Sequence, residues 1–418
     1  MIMKKYFYLF VAAVAMMLTA CSSEEVTNDV RQTPKEAIPM AVGFDTYTSN
    51  ATRAVAYGVM TTTTLQTTGF GVFAWQGAIT PGYSDAAPNF MYNEEISYPS
   101  GAWTYSPLKY WPNETSNDTG AGNTATSTHS EGLSFLAYAP YVSAASGTTG
   151  ITSISANTAV PTIGYTIATA PSQSVDLLWG VAQADGFSYG DVTGGTTSVA
   201  AGMPLLNLKK PSKEQKIKFL FKHALARLGV SIVAAVDQVP AGGKLDDDTK
   251  IYVTSITIAD GASTKTLPTT GTLNLNNTVA NVANWSASPG TLSLVLNTGN
   301  ELSTAIQTGG TGVTTTEQNA IEGGKYFMLI PTQGTQATFD VTIDYTVETT
   351  DSKVSGGKVS TQNVIKKTVV VGDPTKGFEN NKAYNLKIIL GLTSVKLDAE
   401  VADWEVQNST DVDLPKNM

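Results

Sequence analysis

The chain is short of the side chains that carry most protein chemistry. Its 418 residues include 1 Cys, 2 His and only 15% charged residues, against about 25% in an ordinary soluble domain. The single cysteine, Cys21, closes no internal disulfide and supplies no cysteine-based zinc site. The two histidines, His129 and His223, lie far apart in sequence and do not suggest a multi-histidine metal centre. Arginine is nearly missing. Arg31, Arg53 and Arg227 are the only three, and between Arg53 and Lys209 the sole cationic side chain is Lys109. With a formal net charge of −9, this balance argues against nucleic acid, which needs clustered Lys and Arg, and against anionic lipid surfaces. No Gly-rich phosphate loop opens a helix, and neither histidine has a serine or cysteine nucleophile motif beside it. No catalytic residue, metal site or cofactor is expected, and no enzyme activity is inferred.

Long hydrophobic runs are also missing, apart from one at the N-terminus. Lys4 and Lys5 precede an apolar run from Tyr6 to Met17. That run is shorter than the roughly 20 residues a membrane-spanning helix needs, and its layout is that of a secretory signal peptide. It ends in Leu18-Thr19-Ala20-Cys21, which resembles a bacterial lipobox. The resemblance implies a signal peptide over 1–20, cleavage before Cys21, a lipid on the Cys21 sulfur and a lipidated tether over 21–37. The lipid would then be the membrane attachment.

What the chain has in quantity is threonine, 58 residues of it, together with 37 Gly. This is a strand-favouring, turn-rich composition. Period-two alternation dominates the body. In Thr338–Val347, Phe339, Val341, Ile343, Tyr345 and Val347 alternate with Thr338, Asp340, Thr342, Asp344 and Thr346, a half-buried strand with one wet face. Tyr384, Leu386, Ile388 and Leu390 alternate in the same way. Further strands are expected over Phe70–Trp75, Leu133–Tyr138, Leu177–Val181, Ile217–Phe221, Val230–Val236, Ile251–Ile258, Tyr326–Ile330 and Val364–Val371. The one helical turn expected is His223–Leu228, as a short connector. Regularly spaced strands separated by turn residues indicate an all-β protein of β-sandwiches. The length suits about two domains. The charged stretch from Pro211 to Lys216 suggests a boundary there, dividing the body into 38–210 and 211–418.

Several motifs together resemble the fimbrillin family, the subunits of type V pili in Bacteroidetes. They are the lipobox; Phe44 followed by Thr52-Arg53-Ala54; Phe70-Gly71-Val72-Phe73-Ala74; the run Trp103–Pro112; Leu133–Pro140; Asp176-Leu177-Leu178-Trp179-Gly180; Phe221–Ala226; and the closing Val401-Ala402-Asp403-Trp404-Glu405. Ser22-Ser23-Glu24-Glu25 after the cysteine resembles the surface-export signal of lipoproteins in the same group. The resemblance implies two tandem transthyretin-like β-sandwich domains, export as an outer-membrane lipoprotein, and assembly with neighbouring pilin subunits into a surface fimbrium for adhesion to a host or microbial receptor.

The N-terminal segment suggests how assembly starts. Ile38, Met40, Val42 and Phe44 alternate with Pro39, Ala41 and Gly43, a strand with one apolar face. Pro39 has no N–H to donate, so the strand lies at an edge or begins there. Residues 45–69 then form a Thr-rich loop around Arg53, open to proteolysis. In stem pilins of the family an arginine-specific protease cuts such a loop. Mapped here, the cut falls between Arg53 and Ala54, the first strand leaves with the lipid anchor, and a partner strand enters by β-augmentation. Arginine scarcity leaves that protease few other targets, with Arg227 flanked by apolar residues. The donor end is a tail with Val406, Val412 and Leu414, interrupted by Pro415. A tip or anchor subunit, or a surface glycan-binding lipoprotein that does not polymerise, are the alternatives. The aromatics Trp103, Tyr105, Tyr110 and Trp111 around Lys109 read chiefly as packing, with sugar stacking as the other use. Asp246-Asp247-Asp248 is too compact for a calcium loop.

Overall fold

A computed structural model describes residues 40–48, 59–78, 82–112, 131–144, 147–157, 159–183, 188–192, 195–210, 215–234, 250–261, 267–297, 307–308, 317–321, 325–332, 334, 337–373, 375–390 and 395–404. They belong to one of the two units into which the chain divides; the other, 1–38 with 120–122, lies outside them. The described fold is all-β, arranged in sheets of seven, five, five, four and two strands, and a two-domain sandwich fits it.

The seven-stranded sheet carries the functional argument. Its path runs Gly43–Thr48, Lys216–His223, Leu178–Val181, Glu131–Ala139, Phe70–Ala78, Met91–Ile96, with Leu205–Leu208 added beside Glu131–Ala139. Gly43–Thr48 is therefore an edge strand, and it runs parallel to Lys216–Phe221. Both faces of this sheet are covered. One face supplies Val42, Phe44, Phe70, Val72, Phe135, Phe219 and Phe221 to a smaller core. The other supplies Phe73, Trp75, Leu136, Tyr138, Trp179 and Val181 to a larger core that also takes in most of the C-terminal strands. Burial on both faces explains why Phe70–Trp75 and Gly132–Ala139 are near-continuous apolar runs.

Alternating strands appear where the pattern was clearest. Phe339, Val341, Ile343 and Tyr345 are fully buried within Ala337–Thr350. The opposite face is polar, with Asp340 held by Lys366 at 2.7 Å and by the Thr368 hydroxyl at 2.6 Å. Tyr384, Leu386, Ile388 and Leu390 are likewise buried in Lys382–Leu390.

Three expectations are corrected. His223–Leu228 is not helical. His223 ends one strand, Ala224 donates its N–H to Leu177 O, and Ala226 starts the next strand, Ala226–Ala234. That strand pairs with Phe327–Leu329 on one side and Lys382–Leu390 on the other. Six residues are too few to hold a helix against two ready-made ladders. The Thr-rich loop over 45–69 is shorter at both ends. Strand pairing continues to Thr48, and Thr62–Thr68 is a helix. Thr61 caps it reciprocally with Thr64, and Leu65 is fully buried beneath it, so a capping box and one apolar anchor outweigh threonine's modest helix propensity. Finally, the sheets cross the expected boundary at 210–211 in both directions. Lys216–His223 pairs back into the seven-stranded sheet. Thr162–Thr166, from before the boundary, pairs with Pro268–Asn274 from beyond it. These are long-range ladders, which a local composition shift does not report.

Candidate functional site

The segment Met40–Thr48 is clamped on two sides. On one, Gly43 to Thr48 pair in register with Lys216 to Phe221. On the other, the Val42 N–H donates to Lys109 O and the Trp111 N–H donates to Met40 O, both at 2.9 Å, with Ala41 opposite Tyr110. The Tyr105 hydroxyl donates to Val42 O at 2.8 Å and accepts from the Lys109 N–H at 3.1 Å. Burial pushes the Tyr105 phenol up to about 12, so the proton that makes this bond is held firmly.

The apolar face fills a slot lined by aromatics. Val42 and Phe44 are each 1% exposed. The Phe44 ring lies 5.5 Å from Tyr105, 5.8 Å from Phe135 and 6.3 Å from Phe70 in edge-to-face contacts, and stacks on Phe219 at 6.2 Å. Trp111 packs on Phe135, and Trp103 on Phe70. The aromatic run Trp103–Trp111 is thus the far wall of the slot. Tyr105 and Trp111 are buried in it, while Tyr110 faces solvent. Of the residues expected to form the removable strand, Met40, Val42 and Phe44 lie here. Ile38 lies outside the described residues, as do Cys21, Arg53, Ala54, Val406, Val412 and Leu414, and also His129 and Asp246–Asp248.

A second cluster sits where the chain leaves the seven-stranded sheet. Asp176 Oδ2 accepts the Met60 N–H at 2.9 Å and lies 2.7 Å from His223 Nδ1. The His223 ring stacks on Trp404 at 3.9 Å, nearly parallel. The Arg227 guanidinium lies over the rings of Tyr326 at 4.5 Å and Trp404 at 5.2 Å. Arg227 is 6% exposed, and burial lowers its pKa. Asp176 Oδ1 and Arg227 Nη2 have no hydrogen-bond partner among the described residues. This cluster links Met60, just after the undescribed 49–58 segment, with Trp404, the last described residue. Its members were visible only as separate motifs; their meeting depends on contacts 47 and 116 residues apart.

Among the described residues, no group of three or more His, Cys, Asp or Glu side chains is placed to hold a metal ion, and no helix is long and apolar enough to cross a membrane.

Comparisons with known proteins agree on one family. A family model described as fimbrillin-like matches residues 52–404. The chain is 27% identical over 265 residues to the fimbrium subunit Fim1C of Phocaeicola vulgatus, covering 61% of this chain and 57% of that protein. It therefore spans less than two thirds of that relative's length. The crystal structure of a fimbrial protein from Bacteroides vulgatus shares its fold, with a TM-score of 0.59 and 19% identity over 87% of this chain and 99% of that one. The chain belongs to the fimbrillin-like family.

Proposed function

We propose that the protein is a structural pilin, exported as a lipoprotein through Cys21, cut between Arg53 and Ala54, and assembled into surface fimbriae by exchange of its first strand. The observation that carries this reading is the edge position of Met40–Thr48, with Val42 and Phe44 seated in a preformed aromatic slot. Only an edge strand can leave without breaking a sheet in two. Departure uncovers backbone groups on Lys216–Phe221 and Lys109–Trp111 together with two deep side-chain sites, which is what a strand-adding partner binds. Arg227 is buried, so Arg31 and Arg53 are the arginines that remain for an arginine-specific protease. The partners in this reading are neighbouring copies, that protease, the outer membrane before cleavage, and a surface receptor for adhesion. A tip subunit would use the open groove without a donor tail, and an anchor subunit would keep its lipid on Cys21.

Purified precursor treated with an arginine-specific protease tests the reading. Loss of the fragment ending at Arg53, followed by SDS-resistant ladders, is expected. A fragment that stays bound, with the protein still monomeric, contradicts it.

A further inference from the structure

The wall segment Trp103–Trp111 is a strap tied at both ends by contacts that do not involve the first strand. At one end Ser97 and Thr104 exchange both amide hydrogen bonds, each at 2.9 Å. The Trp103 ring beside them lies 4.9 Å from Phe70 and 4.9 Å from Tyr98. At the other end Trp111 is 4% exposed and packs edge-on against Phe135. The stretch between, Tyr105 to Lys109, leans on the first strand through the backbone of Val42.

The hydrogen bonds there close in an unusual way. A tyrosine hydroxyl has one proton to give. Tyr105 gives it to Val42 O at 2.8 Å, and its oxygen accepts the Lys109 N–H at 3.1 Å. The Lys109 carbonyl accepts the Val42 N–H at 2.9 Å. That same carbonyl oxygen lies 3.4 Å from the Tyr105 hydroxyl, too far for a good O–H···O bond. Val42 therefore occupies two groups of the strap that already face each other. When Val42 leaves, the hydroxyl proton and the Lys109 carbonyl lose their partners together, and a closing movement of about half an ångström pairs them at normal length. The Phe44 ring, 5.5 Å from Tyr105, leaves at the same moment and frees one side of the phenol to make that movement.

We propose that Tyr105 is a positioning residue with two hydrogen-bond settings. It donates to Val42 O while the slot is filled and to Lys109 O while the slot is empty, and the second setting holds the strap in the shape that receives a strand. The inference rests on the strand-exchange reading above and adds how the emptied groove keeps its wall. A strap without this second setting would face the empty slot with an unpaired donor and an unpaired acceptor, which favours rearrangement. A strap that keeps its shape spares the incoming strand the cost of ordering it. The setting reads a main-chain carbonyl, so any extended segment that places one at the Val42 position resets it.

Amide exchange at Lys109 tests this, read by mass spectrometry with residue-level fragmentation. The sample is the full-length protein cut at Arg53, with loss of the first strand checked by mass. In the wild type the Lys109 amide should exchange within about threefold of its rate in the uncut protein. In Tyr105→Phe the emptied protein should exchange there on the order of tenfold faster than the emptied wild type, with the amides of Ala337–Thr350 at wild-type rates as the check that the variant is folded. A tyrosine that serves only to hold the resident strand gives a different result: wild type and Tyr105→Phe exchange alike once the slot is empty. That result overturns the proposal and leaves strand exchange intact, as does a Lys109 amide that loses its protection in the emptied wild type, a measurement that needs no variant. A first strand that stays bound after the cut removes the strand-exchange reading and this inference with it.

Discussion

Replacing Phe44 by alanine in the uncleaved precursor probes how the first strand is held. The side chain is 1% exposed and touches four aromatic rings. Burial alone contributes about 1.5–3 kcal/mol for such a side chain. The cavity left in a packed slot raises the cost of Phe→Ala to about 3–5 kcal/mol. The remaining attachments are the Val42 side chain, the Val42 and Trp111 amide bonds, the Tyr105 hydroxyl bond and the ladder to Lys216–Phe221. Each net hydrogen bond contributes only about 0.5–1.5 kcal/mol, so Phe44 is the largest single anchor. An edge strand that has lost it opens locally before the sheet unfolds. Amide exchange across Gly43–Thr48 should accelerate on the order of 10²-fold or more, while the amides of Ala337–Thr350, in the separate larger core, change far less. Hydrogen exchange read by mass spectrometry resolves the two segments. Equal acceleration in both, or none in Gly43–Thr48, refutes the idea that the strand is a separately removable element.

Three other expectations follow from the same geometry. Burial raises the Tyr105 phenol from 10.0 to about 12, so the folded state holds this proton more tightly than the unfolded chain. Its stabilisation is intact below pH 10 and is lost as the pH climbs through about 12; the difference in urea midpoint between wild type and Tyr105→Phe should shrink over that window, and a constant difference contradicts the argument. Gly180→Ala would place a Cβ 2.7 Å from Phe219 Cδ1 and 3.1 Å from the Ala137 Cβ, overpacking the slot floor by about 1–3 kcal/mol; an unchanged melting temperature rules this out. Trp404→Ala removes the ring that lies against His223 and Arg227, and should cost about 3–5 kcal/mol and speed amide exchange near the end of Val395–Asp403; unaltered exchange there excludes Trp404 as the anchor of that strand's end.

Much of the fold was legible because water faces one side of most long strands. Phe339 to Tyr345 alternate in sequence and are buried in that same alternation. The chain after Pro39 runs into an edge strand, Gly43–Thr48, one of the two placements that the missing proline N–H left open. The strands Gly150–Ser155, Pro268–Asn274 and Asn284–Pro289 escaped notice because Gly, Thr and Ser supply few apolar positions to alternate. They are strands because their neighbours offer ladders, a tertiary cause that no short window contains. The slot shows the same limit. Met40–Phe44 and Trp103–Trp111 were each conspicuous, but their pairing spans some sixty residues, and nothing local says that one is the wall for the other. The helical reading of His223–Leu228 failed for a related reason: Ala and Leu favour a helix locally, yet both flanks were already committed to sheets.

The measurement that bears most directly on this account is the N-terminus of the protein sheared from the cell surface, read by mass spectrometry. Processing that removes the first strand predicts a chain starting at Ala54, with Val42 and Phe44 absent from the assembled material. A chain starting at lipidated Cys21, with no Ala54 species, contradicts it.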